Sequence, residues 1–208
     1  MHDFASSRSA FIGAATWFAD TVAELDLTPP GWEAAALGVW SRRDLVGHTS
    51  RALLTVEDYL RLEPSSSTLE TIDYYRVVRS GRADPDDVAE RGRRAGVDLG
   101  PSLPEAVRSI VDRAADLIIR QPADALVSTP VGDWTLATYL PTRIFELVVH
   151  TLDLRRAAGL DGDIPAGPSR AALEVLGILV ADSRPEEAPA LLTTLTGRSV
   201  MTTIYSVL

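Results

Sequence analysis

Apolar residues recur along most of the chain at spacings of three and four positions, which is the period of an α-helix with one buried face. Phe11, Phe18 and Val22, for example, fall on one side of a helix predicted to start near residue 4. The pattern predicts an all-α protein in which four long helices form an up-down four-helix bundle. The four helices are expected at residues 4–25, 41–62, 102–121 and 135–159.

Polar residues and prolines mark the ends of these helices. Ser41 with Asp44, and Ser102 with Glu105, have the Ser-x-x-acid spacing of a capping box. Pro141 lies inside the fourth helical pattern, where it either kinks the helix or marks its true first turn. Proline and glycine between the third and fourth helices predict an irregular or hairpin-like connection.

The chain divides into a bundle and a short extension. Residues 1–160 carry the four long helices. Residues 161–208 predict a mainly helical extension that packs on the bundle. Its two shorter helices are expected at residues 169–181 and 186–195, followed by an extended apolar tail.

Composition narrows the function classes. The chain has 20 Lys+Arg, all of them arginine, against 29 Asp+Glu, and its net charge is −9. Nucleic acids and anionic membranes attract clustered cations, so we expect neither as a partner. We find no signal sequence and no apolar run near the ~18 residues of a membrane span, and therefore expect a cytoplasmic protein. Since cysteine is absent, disulfides and cysteine nucleophiles are excluded, and thiol chemistry would need an external thiol.

The histidines are the first candidates for chemistry, because only three occur: His2, His48 and His150. The helix around His150 is otherwise apolar, and Glu146, His150 and Asp153 fall within an arc of roughly 60° on it. The i, i+4 spacing of Glu146 and His150 lets a carboxylate and an imidazole converge on one ion. The same stripe also fits the solvent-facing side of a bundle helix.

His48 strengthens the interpretation as a metal site relative to the solvent-facing side of a helix, because it lies at the edge of the apolar face of the second long helix. It is either a hydrogen-bonded core residue or a metal ligand. With Glu146 and His150 it would form a two-histidine, one-carboxylate set, which suits Zn²⁺ and leaves at least one position for water or substrate. Asp44 and Asp153 are each close in sequence to one histidine. Either could orient its ring, or could be a solvated helix charge.

Two segments of the chain carry a more specific pattern. Residues 40–49 read WSRRDLVGHT, and residues 143–154 read RIFELVVHTLDL. They resemble the two signatures of the DinB-like, mycothiol-dependent maleylpyruvate isomerase family, W-x3-D-x2-x-H and R-x2-E-x3-H-x2-D-L. Residues 131–136 are similar to the family's lead into the second signature, and the resemblance extends over about residues 8 to 160.

The resemblance implies a four-helix bundle that holds a divalent metal, typically zinc, through His48, Glu146 and His150. It implies mycothiol as cofactor: its thiolate adds to a cis double bond of maleylpyruvate, the bond rotates, and elimination gives the trans isomer. Arg143 then either forms an ion pair with Glu146 or contacts a substrate anion, and Asp153 orients His150. By the same analogy we expect a small-molecule substrate and a homodimer through bundle faces.

The predicted helices of the extension differ from the substantial C-terminal α/β domain of the characterised isomerases. The resemblance therefore supports metal binding by this chain more strongly than it supports the particular isomerisation. Our first hypothesis is a metal-dependent, thiol-using isomerase or S-transferase. The alternative is a bundle that binds metal or a small ligand without catalysis.

Overall fold

A computed structural model describes residues 3–25, 28–82 and 85–200 of the protein. Most of the described chain is helical, which confirms the all-α class. A π-helical turn at Val78–Arg82 and a 3₁₀ turn at Pro185–Glu187 adjoin the α-helices. The α-helices are α1 (Phe4–Glu24), α2 (Pro29–Trp32), α3 (Arg42–Tyr59), α4 (Thr71–Val77), α5 (Pro85–Asp98), α6 (Leu103–Ile119), α7 (Leu136–Ala158), α8 (Ala166–Ser183) and α9 (Ala188–Leu195). The strands are β1 (Ala35–Leu37), β2 (Trp40–Ser41), β3 (Leu60–Pro64), β4 (Ala125–Thr129) and β5 (Gly132–Thr135).

The bundle consists of α1, α3, α6 and α7, the four long helices that the apolar pattern predicts. Helix α1 packs against α6 and α7, and α3 packs against the same two helices. Helices α1 and α3 therefore lie at opposite corners, although they follow each other in the chain. The core between the four helices contains fully buried aromatic and aliphatic side chains, among them Phe11, Phe18, Leu53, Ile118, Tyr139 and Ile144.

The helix ends follow the local signals with one exception. The Ser41 side chain accepts a hydrogen bond from the Asp44 backbone, and the Asp44 carboxylate accepts one from the Ser41 backbone, so this capping box is confirmed. The capping box at Ser102 is wrong, because the Ser102 side chain makes no capping bond. Helix α7 begins at Leu136 with Thr135 as its cap, so Pro141 lies inside the helix rather than in its first turn.

A small antiparallel sheet flanks the bundle. Strands β4 and β5 form the predicted hairpin, with Val127 opposite Trp134. The prediction that α3 continues to residue 62 is wrong, because the chain leaves the helix at Leu60 and forms β3. Strand β3 pairs with β4, about 60 residues further along the chain, and these backbone hydrogen bonds replace those of another helical turn.

The extension begins with α8, which packs against α1, α4 and α7. Helix α9 follows the 3₁₀ turn, and its residues are not buried. The apolar tail predicted from residue 199 falls largely on residues 201–208, which lie outside the described residues. None of the described helices is both long and apolar enough to cross a lipid bilayer.

Helix α5 lies unusually close to α3, and glycines allow this approach. A Cβ atom added to Gly47 on α3 would lie 2.1 Å from the backbone nitrogen of Gly96 and 2.6 Å from the carbonyl oxygen of Gly92. Two helix backbones therefore meet with no side chain between them. This contact brings α5 beside His48, which directly follows Gly47 in the sequence.

Candidate metal centre

The candidate metal centre lies between α3 and α7. His48 projects from the middle of α3, and Glu146 and His150 project from successive turns of α7. Each of the three side chains offers one ligand atom, and these atoms lie within 4.8 Å of one another. The structure thus brings together two positions on α7 and one position almost 100 residues earlier in the chain.

The spacing of these atoms suits a divalent cation. Two ligand atoms that each lie about 2.1 Å from a tetrahedral cation are roughly 3.4 Å apart. His150 Nε2 and Glu146 Oε2 are 3.3 Å apart. The imidazoles of His48 and His150 meet edge to face, with ring centroids 4.7 Å apart. Small side-chain rotations would bring all three atoms onto one ion.

Asp153 contacts His150 on the side away from the other ligands. Its Oδ2 lies 3.2 Å from Nδ1 of His150, so the imidazole is held at both ring nitrogens. Ligand histidines in proteins commonly have their second nitrogen fixed in this way. Asp44 does not have the same relation to His48, because its carboxylate is used by the helix cap at Ser41.

His48 is held differently. Its Nδ1 is buried and has no hydrogen-bond partner among the described residues. The indole of Trp40 stacks on the imidazole instead, with ring centroids 4.3 Å apart and ring planes inclined by 31°. Burial lowers the pKa of His48 to about 4, and the charge on His150 acts in the same direction. His48 is therefore neutral at pH 7, as a metal ligand must be.

Glu146 and His150 form a charged pair in the metal-free protein. Burial would raise the pKa of Glu146, but the hydrogen bond with His150 and the charges of His150 and Arg143 lower it to about 2. Burial would likewise lower the pKa of His150, but hydrogen bonds to Asp153 and Glu146 raise it to about 9. At neutral pH a proton thus lies on His150, where a cation would replace it.

Arg143 lies beneath this pair and is only 5% exposed. Its guanidinium carbon lies 4.7 Å from the ring centroid of Tyr74 and 4.9 Å from that of Tyr139. Its Nε donates to Thr142 Oγ1, and Nη2 has no hydrogen-bond partner among the described residues. Although burial lowers the pKa of Arg143, the neighbouring tyrosines and Glu146 raise it overall, and the group stays cationic.

Sequence reasoning missed the two tyrosines beside Arg143, which are Tyr74 and Tyr139. Tyr74 lies in α4, within a stretch whose apolar pattern predicts no clear element, so its position over Arg143 depends on the tertiary fold. The position of Trp40 directly before the helix that carries His48 suggests from sequence that it lines the site, and its ring does contact that histidine. His2 lies outside the described residues.

The fold and the site together define a class of protein: a helical bundle with a candidate metal centre of two histidines and one carboxylate. Residues 11–155 match the family model of the mycothiol maleylpyruvate isomerase N-terminal domain. The chain belongs to this family. The matched region contains all three candidate ligands. No curated protein and no solved structure matches the chain significantly.

Proposed function

We propose that the protein is a divalent-metal-dependent enzyme that uses a low-molecular-weight thiol such as mycothiol, acting as an isomerase of the maleylpyruvate isomerase type or as an S-transferase. The convergence of His48, Glu146 and His150 within 4.8 Å carries this proposal. We take the cation to be Zn²⁺, because two imidazoles and one carboxylate are ligands that zinc favours.

The number of ligands favours catalysis over a structural metal. Structural zinc sites usually use four protein ligands, whereas catalytic sites use three and leave a position open. The side chains of His150 and Glu146 are 16% and 24% exposed rather than fully buried, which supports access by a small molecule. A bound divalent cation would lower the pKa of a thiol that coordinates it and so supply thiolate at neutral pH.

The chain's own residues would prepare the site for this thiol. Asp153 holds the His150 ring by its Nδ1, which directs Nε2 toward Glu146 and His48. The chain contains no cysteine, so the reacting sulfur comes from the external thiol. Because Arg143 is buried, it would attract an anionic substrate or thiolate through its field rather than by direct contact.

Metal analysis tests the first half of the proposal. Protein purified without a polyhistidine tag should contain about one equivalent of metal, and His48→Ala and His150→Ala should each lose it. His2→Ala is the matched control: it removes a histidine that we do not assign to the site, and it should keep its metal. A wild type that binds no added Zn²⁺ would refute the metal centre.

Turnover assays test the second half. Metal-loaded protein should isomerise maleylpyruvate, or conjugate an activated electrophile, only when a thiol such as mycothiol is added. His150→Ala should abolish this turnover while its circular dichroism stays that of the wild type. Stoichiometric metal without thiol-dependent turnover would favour the alternative, a metal- or ligand-binding bundle without catalysis.

A further inference from the structure

The two candidate ligand histidines are supported in different ways. His150 is held by the carboxylate of Asp153, 3.2 Å from its Nδ1. The corresponding nitrogen of His48 is buried and has no hydrogen-bond partner among the described residues. Within the described part of the chain, the His48 ring therefore has no hydrogen bond at Nδ1 that would fix its orientation.

The indole of Trp40 occupies the place where such support is needed. It covers one face of the His48 imidazole at a centroid distance of 4.3 Å. It also meets the His150 ring nearly at right angles, at 6.4 Å. A ring stacked this closely restricts rotation of the imidazole without any hydrogen bond.

Trp40 is itself held from the other side by α5. Its Nε1 donates a hydrogen bond of 3.2 Å to the carbonyl oxygen of Ala89. A Cβ atom added to Gly92 would lie 3.2 Å from Trp40 Nε1 and 3.3 Å from His48 Cβ, so a side chain there would press on both residues. The indole is therefore enclosed between α5 and the imidazole.

We infer that Trp40 is the positioning residue of His48, and that its stacked indole does for this ligand what Asp153 does for His150. The inference rests on the proposed metal centre for its purpose, but the stacking itself is a property of the metal-free protein. Loss of the indole should leave His48 free to rotate, and metal affinity should fall about tenfold or more, the effect typical of removing a residue that orients a metal ligand.

The test compares two variants of Trp40 with a matched control. Trp40→Phe keeps an aromatic face on His48 but loses the hydrogen bond to Ala89, and Trp40→Leu removes the aromatic face as well. Trp134→Phe is the control, because Trp134 also precedes a site helix and donates a 3.2 Å hydrogen bond, to the Glu70 carbonyl. The described ring contacts of Trp134 are with Tyr74 and Tyr139 and not with a histidine.

The first measurement needs no metal. In the NMR spectrum of the metal-free wild type, the ring protons of His48 should be shifted upfield by the ring current of the indole. Trp40→Leu should lose this shift, Trp40→Phe should keep part of it, and Trp134→Phe should leave it unchanged. His48 signals that are the same in Trp40→Leu and the wild type would overturn the inference, whether or not the protein binds metal.

The second measurement is the Kd for Zn²⁺. Trp40→Leu should bind about tenfold or more weakly, whereas Trp40→Phe and Trp134→Phe should stay near the wild type. If Trp40→Phe is as weak as Trp40→Leu, the hydrogen bond to α5 matters rather than the stack, and the inference is wrong. A wild type without metal affinity would instead refute the proposed function, and the NMR comparison would still decide the role of Trp40.

Discussion

The contact between α3 and α5 makes a quantitative prediction about Gly47. A Cβ atom at this position would lie 2.1 Å from the Gly96 nitrogen, whereas ordinary contact begins near 3.4 Å. Gly47→Ala therefore forces the two helix backbones apart by about 1.3 Å, the difference between these distances. No side-chain rotation can relieve the clash, because the atoms of α5 that the Cβ atom would meet belong to the backbone.

The expected change in the free energy of unfolding of Gly47→Ala is the sum of two opposing contributions. Overpacking of a close contact costs about 1–3 kcal/mol, and the rigid partner here favours the upper end. Alanine in place of glycine inside a helix recovers about 1 kcal/mol. The free energy of unfolding of Gly47→Ala should therefore fall by about 2 kcal/mol, which lowers the Tm by about 4–8 °C in a chain of this size.

Gly177 on α8 is the matched control, because a Cβ atom there would have no neighbour within 4 Å. Gly177→Ala should raise the free energy of unfolding by up to about 1 kcal/mol. Urea denaturation followed by circular dichroism measures both variants in the same buffer. If Gly47→Ala is as stable as Gly177→Ala, the backbones of α3 and α5 are not in contact, and the support of Trp40 by α5 also loses its basis.

The remaining predictions concern the charged groups of the site. Because the pKa of His150 is raised to about 9, Zn²⁺ must displace a proton at neutral pH. At pH 7 the affinity for Zn²⁺ should be about 100-fold below its value above pH 9. Calorimetry in buffers of different ionisation enthalpy should show that about one proton is released on binding. An affinity that does not depend on pH would contradict this. In the metal-free protein, the raised pKa of His150 stabilises the fold below pH 6.5, and up to about 3 kcal/mol of this is lost as pH rises through 9. The lowered pKa of His48 has the opposite effect, because the stability that its neutral form contributes is lost as pH falls from 6.5 through 4. Together, the two histidines favour a maximum in the free energy of unfolding near pH 6.5. Denaturation across this pH range would measure it. Asp153→Asn should lower the pKa of His150 in an NMR titration; an unchanged pKa would show that the 3.2 Å contact has no role in solution. Arg143→Met should lower the free energy of unfolding by about 2 kcal/mol, because it removes a buried cation that packs on the rings of Tyr74 and Tyr139 and keeps the pKa of Glu146 low; a variant as stable as the wild type would contradict this role.

The two aspartates beside the histidines show how far local sequence can be interpreted. Asp44 and Asp153 are both within four residues of a candidate ligand, but only Asp153 contacts its histidine. Asp44 is also the acidic partner of the Ser41 cap, and the structure shows that the cap uses its carboxylate. The two roles compete for one side chain, and the sequence alone left this competition open.

Arg143 shows a different limit. An ion pair with Glu146, three residues away on the same helix, is the natural expectation from spacing. The ion pairs of the described residues do not include this pair, and the guanidinium lies instead between Tyr74 and Tyr139. Tyr74 comes from α4, so its contribution depends on how α4 packs on α7 and could not follow from the α7 sequence.

The sequence by itself determined the features that depend on a few neighbouring residues: the helical periods, the cap at Ser41, and the placement of Glu146 and His150 on one side of α7. These follow from the 3.6-residue turn and from local hydrogen bonds. Only the tertiary structure decided that Leu60 leaves α3 for a sheet, that Trp40 covers His48, and that His48 reaches the other two ligands. Each of these depends on packing between segments far apart in the chain, and burial in that packing also shifts the pKa of each candidate ligand.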